Sequence, residues 1–136
     1  MSTQEPTNVK NLDNYGNDPL PWQRVIDELE AKTLESTVLG TTRPDGRPHA
    51  ASFGGMWIDG AWYLVSGPGT RKSRNLAANP ACTVTARLKG IDVVFEGEAQ
   101  RVTNPEELER VAATYRENGW PAEVEGDAFT APYSAP

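Results

Sequence analysis

Two Asp-Gly pairs, Asp45-Gly46 and Asp59-Gly60, bracket the run RPHAASFGGMWI. Asp-Gly suits a tight reversing turn because glycine adopts positive φ at little cost, so each pair predicts a β-hairpin. The flanks agree. STVLGTT (36–42) is rich in β-branched residues, RPHAASFGGMWI (47–58) makes a second strand, and AWYLVSG (61–67) makes a third. Two hairpins in succession read as an antiparallel meander. Gly54-Gly55 inside the second strand predicts a bulge, or close approach by another backbone or a ligand. ACTVTARL (81–88) and IDVVFEGEAQRV (91–102) lie either side of Lys89-Gly90 and add a fourth and fifth strand. Five antiparallel strands in an open sheet leave edges, and closure is the usual remedy. The expected fold is therefore mainly β, a small antiparallel barrel covered by short helices.

Three segments carry helical signals. In PWQRVIDELEAK, Trp22, Val25, Ile26 and Leu29 recur at helical spacing, and Pro21 is tolerated at a helix start. TRKSRNLAANP predicts a short helix opened by Thr70 and stopped before Pro80. TNPEELERVAATYRENG places Leu108, Val111, Ala112 and Tyr115 on one face. Asn104 is the natural N-cap there, and Glu106 and Glu107 suit the positive helix end. Residues 1–20 are polar and turn-rich and are expected to form a flexible arm. Residues 21–136 are expected to form a single domain, and its tail WPAEVEGDAFTAPYSAP shows no clear period.

Composition excludes several classes of function. A net charge of −6 argues against a nucleic-acid binder, which usually carries a basic excess. Cys82 is the only cysteine and His49 the only histidine, so neither an internal disulfide nor a conventional zinc site is expected. No run approaches the ~20 apolar residues of a membrane helix. The N-terminus lacks the basic start and apolar run of a secretory signal, so the expected location is the cytoplasm.

Against that acidic background, SGPGTRKSRNLAANP (66–80) concentrates Arg71, Lys72 and Arg74 at a helix start. A strand, a glycine loop and a helix N-terminus together present unpaired N–H groups that favour an anion. Cations are electrostatically disfavoured at that end of a helix, and a bound phosphate would explain them. The bland alternative is a solvated basic run. The order is neither GxxxxGK[ST] nor GxGxxG after a parallel strand, so Walker A and Rossmann readings have no support. Ser52 and Ser66 lack the GxSxG elbow of a hydrolase.

The pieces DGRPH, WIDGAWYLVSGPG, RKSRNLAANP and EGEAQRV occur in this order between about Leu34 and Tyr115. Together they resemble the pyridoxamine 5′-phosphate oxidase-like split-barrel flavoproteins. Within that family they are most similar to the actinobacterial branch that uses the deazaflavin F420. The resemblance implies an antiparallel split β-barrel of the FMN-binding type. It also implies that the basic residues after the third strand grip the cofactor's phosphate or its polyanionic tail, which points to Arg71, Lys72 and Ser73. Asn75 matches a position near that grip, although it could equally be a hydrogen bonder of the helix start. The second strand would run beside the ring, which points to His49, Ala51, Ser52 and Phe53, and the end of the third strand contributes Ser66 and Gly67. His49 could instead lie on a strand rim without a role. Trp57, Trp62 and Tyr63 read as core or dimer packing rather than ring-stacking groups.

The resemblance further implies a homodimer with two cofactors in clefts between the barrels. The expected activity is hydride transfer between F420 and a small organic substrate. FMN is the alternative cofactor, and a non-catalytic carrier is the alternative class. Members of the branch continue past a segment like APYSAP with a proline-rich turn and a final strand. The sequence ends at Pro136, so the expectation is that the barrel closes differently, that a partner supplies pairing, or that the chain is shortened.

Overall fold

The computed structural model describes residues 6–32 and 34–130, which divide into two compact units, Met1–Glu98 and Ala99–Pro136. The first unit begins with exposed, irregular chain over residues 6–20. A local knot organises part of it. The Asp13 carboxylate accepts hydrogen bonds from Tyr15 N, Asn17 N and Asn17 Nδ2. The bond from the Asn17 side chain is the main reason the Asp13 carboxyl titrates below its usual range.

Helix α1 (Trp22–Glu30) follows and buries Val25, Ile26 and Leu29, the stripe its spacing predicts. Strands β1 (Ser36–Thr42), β2 (Pro48–Ser52), β5 (Ala81–Leu88) and β6 (Ile91–Glu98) form one antiparallel sheet in the order β2-β1-β5-β6. The β1–β2 turn is closed by bonds from Gly46 N to Arg43 O and from Arg43 N to Arg47 O, each 2.8 Å. Gly46 takes φ +88° there, a value that favours glycine. Along β1 the buried residues alternate as Thr37, Leu39 and Thr41. Register sets Leu39 opposite both Ala51 and Val84, and Val84 opposite Phe95, so these residues share the inner face.

Strands β3 (Met56–Ile58) and β4 (Ala61–Tyr63) form a separate hairpin around Asp59-Gly60. Both turn residues have positive φ, 49° and 82°, as a two-residue primed turn requires. Trp57 and Trp62 face each other across this hairpin with ring centroids 5.4 Å apart, and Phe95 of β6 lies 5.6 Å from each. Trp22 of α1 completes the cluster at 5.8 Å from Phe95. Aromatic contacts of this kind, edge-on except for the tilted Trp57–Phe95 pair, pin the hairpin and α1 to the inner face, over a core of Val25, Ile26, Leu29, Leu88 and Ile91. The two tryptophans are thus core packing.

Helix α2 (Arg71–Ala78) lies between β4 and β5 in the chain. The second unit contains α3 (Pro105–Glu117) and a short hairpin, β7 (Glu123–Glu125) with β8 (Ala128–Thr130). Asn104 caps α3, its Oδ1 accepting from Glu106 N at 2.9 Å and Glu107 N at 3.1 Å. Leu108, Val111, Ala112 and Tyr115 are buried as expected. The Tyr115 ring packs edge-on against Trp120 and Phe129, and burial pushes its hydroxyl pKa up to about 12.

Three element boundaries differ from the sequence expectation. The second strand is broken into β2 and β3 at Phe53-Gly54-Gly55 rather than bulged. The break coincides with a close approach that only glycine allows: a Cβ at Gly55 would come 2.5 Å from the Phe53 ring, which folds back over it. The third strand stops at Tyr63 and the fifth at Glu98, whereas residues 123–130, read as aperiodic, form a hairpin. The segment APYSAP (131–136), past which members of the branch continue, lies outside the described residues. Among the described residues no helix is long and apolar enough to cross a membrane.

Candidate functional site

The cationic loop is built where β4 runs out and α2 begins. Thr70 is the N-cap, with extended backbone and its Oγ1 accepting from Ser73 N at 3.3 Å. Around that cap three hydroxyls close a triangle. Ser66 Oγ lies 2.8 Å from Thr70 Oγ1 and from Ser73 Oγ, and Thr70 Oγ1 lies 3.0 Å from Ser73 Oγ. Thr70 Oγ1 also donates to Gly67 O at 2.9 Å, which ties the loop to the helix start. Gly67 and Gly69 are exposed, and a Cβ at Gly69 would meet nothing within 4 Å, so the approach to this helix end is open.

Arg71 and Lys72 occupy the first turn, half-buried, where the N–H groups of a helix have no intrahelical acceptor. No acidic residue shares that turn, and none of Arg71, Lys72 and Arg74 is ion-paired among the described residues. The helix dipole by itself favours an acid at this end. Arg74 is exposed on the helix surface. Arg47, expected on the second strand, lies in the turn before it, with Nε 4.0 Å from Asp45 and most of its side chain in solvent.

Among the described residues the helix meets the sheet through one side-chain hydrogen bond. Asn75, with no exposed surface, donates from Nδ2 to Thr41 Oγ1 at 3.0 Å, while its Oδ1 accepts from Arg71 Nη1 at 3.3 Å. His49 is the register partner of Thr41 across β1–β2, so the two side chains share the inner face. The His49 ring is half-buried, and its Nδ1 is buried without a hydrogen-bond partner among the described residues. A buried unpaired ring nitrogen is costly, and an ordered water or a ligand atom would satisfy it; the indole N–H groups of Trp22 and Trp62 in the aromatic cluster are in the same state.

Ala51 lies two residues along the same face, and Phe53 follows it, its carbonyl accepting from Thr37 Oγ1 at 2.6 Å. Ser52 alternates to the opposite, exposed face with Pro48 and Ala50. The expected residues therefore fall into two groups. Ser66, Gly67 and Ser73 surround the Thr70 cap, whereas Arg71 and Asn75 connect to the His49 end of the sheet through Thr41. A shallow cavity of about 200 Å³, lined by residues 34–37 and 53–55, opens at the other end of β1. Thr70 and Thr41 had not been singled out as site residues. The helix-cap pattern was the available signal for Thr70, whereas Thr41 is marked only by its bond to Asn75.

No group of three or more metal-ligating side chains occurs among the described residues. No curated protein matches the chain. Among solved structures, the fold is similar to that of a conserved hypothetical protein, Rv2991, from Mycobacterium tuberculosis. That match has a TM-score of 0.63 and 24% identity, over 83% of this chain and 72% of that one. A structure described as an F420 reductase matches with a TM-score of 0.51 and 22% identity, over 73% of this chain and 88% of its own. The protein Atu2129 of Agrobacterium tumefaciens, of unknown function, matches with a TM-score of 0.56 and 20% identity, over 76% and 48%. These likenesses identify the architecture as a split barrel, mainly antiparallel β with three short helices. The family model described as pyridoxamine 5′-phosphate oxidase matches residues 27–132, most of the sequence, and the chain belongs to that family.

Proposed function

We propose that the chain binds the deazaflavin F420 and transfers a hydride between it and a small organic substrate, as a homodimer in the cytoplasm. The observation that carries this reading is the pair Arg71 and Lys72, unneutralised, at a helix end whose dipole already favours anions. Arg71 offers a fork of donors and Lys72 a point charge, the two usual ways of holding a phosphate oxygen. The hydroxyls of Ser66 and Ser73 and the open loop at Gly67 would supply further polar groups at the helix start, and the buried His49 Nδ1 would supply one at the Thr41 end of the sheet. His49, Ala51 and Phe53 would line the ring on the inner face of β2. Bound F420 supplies the hydride chemistry, and the protein's part is to bind, orient and exclude water.

An extended cofactor suits the spacing. The Thr41–His49 end of the β1–β2 ladder and the Thr37–Phe53 end lie four residues apart, roughly 13 Å of strand. A ring lying along Phe53 and Ala51 with an edge at His49, and an anionic chain running on to Arg71, would span that length. The name of the F420 reductase whose fold is similar supports the choice of deazaflavin.

FMN is the second reading, favoured by one feature. The triangle of Ser66, Thr70 and Ser73 is compact, a size suited to a single terminal phosphate. Equilibrium dialysis against each cofactor tests the proposal. One F420 retained per chain, and little by an Arg71→Ala/Lys72→Ala double variant, is the expected result. Retention of neither cofactor would sink it. Retention without turnover of any reductant–substrate pair would leave a carrier.

A further inference from the structure

Asn75 is the only α2 residue that the fold buries, and it is polar. Asparagine is a weak helix former, and a buried amide is tolerated only when both of its ends are hydrogen-bonded. Here the two ends reach different elements. A guanidinium can only donate, so the amide oxygen faces Arg71 and the nitrogen faces Thr41. Thr41 is itself 4% exposed and stands in the buried row of β1, the second strand of the four-stranded sheet. Arg71 and Asn75 are one helical turn apart, which stacks them on one face of α2. The result is an unbroken polar chain from the sheet through Thr41 and Asn75 to the guanidinium of Arg71.

We infer that Thr41 and Asn75 are positioning residues, a buried bracket that fixes the Arg71 guanidinium relative to β1 so that its remaining donors meet an anionic group of the cofactor. The inference rests on the reading of Arg71 as part of the anion grip. Of the five N–H donors of an arginine, Asn75 takes one, and the others have no partner among the described residues. Arginine has among the largest side-chain entropies to lose on ordering. The bracket imposes that loss on folding, so it no longer opposes binding. Helix docking alone would have been served by a leucine at position 75. An amide does what leucine could not, meeting the buried Thr41 hydroxyl with its nitrogen and holding the guanidinium with its oxygen.

The test uses the whole chain with Thr41→Val and Asn75→Leu, each alone and combined with Arg71→Ala. Thermal midpoints confirm folding, and Thr41→Val stands in should Asn75→Leu fail to fold. Nitrogen-15 NMR of cofactor-free protein reads rotation of the Arg71 guanidinium about its Nε–Cζ bond. We expect slow rotation in the parent and faster rotation in both single variants. We expect each to weaken F420 binding by about threefold to tenfold, and to have no further effect once Arg71 is alanine, the signature of residues acting through one another. Equal weakening with and without Arg71 would overturn the inference, since the two residues would then only seat the helix. So would free rotation of Arg71 in the parent. Should the parent bind neither F420 nor FMN while Thr41→Val still frees the guanidinium, the bracket would stand and the cofactor reading would fall.

Discussion

Single residues carry the two sharpest consequences of this fold. Arg71→Ala and Lys72→Ala are each expected to weaken cofactor binding by roughly 1–3 kcal/mol, the range for a charge-assisted hydrogen bond in a partly desolvated site. Calorimetry that finds both variants unchanged would remove the loop from the site. Gly40 makes a different kind of prediction. A Cβ there would collide with the Thr83 hydroxyl on β5, directly opposite in register. Gly40→Ala is expected to cost about 1–3 kcal/mol of stability by overpacking. Adding Thr83→Ala should recover most of it in denaturant titration, and no recovery would locate the strain elsewhere. At this scale the cations were legible because they contradict the helix dipole. Thr41 was not legible as a site residue, because one threonine among several in a β-rich stretch carries no mark until register and helix docking place it against Asn75.

At the scale of elements, α3 is held by its cap and by a buried aromatic. Asn104→Ala removes the acceptor for two N–H groups and is expected to cost about 1 kcal/mol. Tyr115 makes stability depend on alkali. Its proton is held more tightly in the folded chain, with a pKa near 12 against an ordinary 10.0. The folded state therefore binds more protons than the unfolded one between those values. The contribution is whole below pH 10.0 and declines as pH rises toward about 12. Tyr115→Phe should flatten that decline in a pH series of denaturation midpoints, and an unchanged slope would assign it to another group. All three helices were legible from periodicity and caps, because 3.6-residue spacing survives in a single sequence. The two Asp-Gly hairpins were equally plain. What could not be read was the break at Phe53–Gly55, which depends on a ring folding over its own backbone, and the β7–β8 hairpin, whose strands are too short to show alternation. The pairing of β1 with β5 joins strands with three other strands and a helix between them in sequence, and no local signal encodes such a contact.

For the whole molecule, the proposed dimer and the cofactor preference are the properties at stake. β2 and β6 are the outer strands of the four-stranded sheet, and exposed edges of this kind are usually covered. Light scattering is expected to give twice the 14.8 kDa chain mass at micromolar concentration, and a monomer would count against shared clefts. The central claim concerns charge. F420 carries a phosphodiester and a glutamate tail, whereas FMN carries one phosphate. Arg71, Lys72 and the exposed Arg74 along α2, with no ion pair among the described residues, would on the proposed reading suit an extended anion better than a compact one. Attraction between exposed charges fades as the screening length falls from about 10 Å at 0.1 M salt to about 3 Å at 1 M. The most direct test is calorimetric titration of F420 and FMN into the same protein over that range of salt. Tighter binding of F420 at low salt, with a margin that shrinks as salt rises, is the result this reading predicts. Tighter binding of FMN at every salt concentration would contradict it.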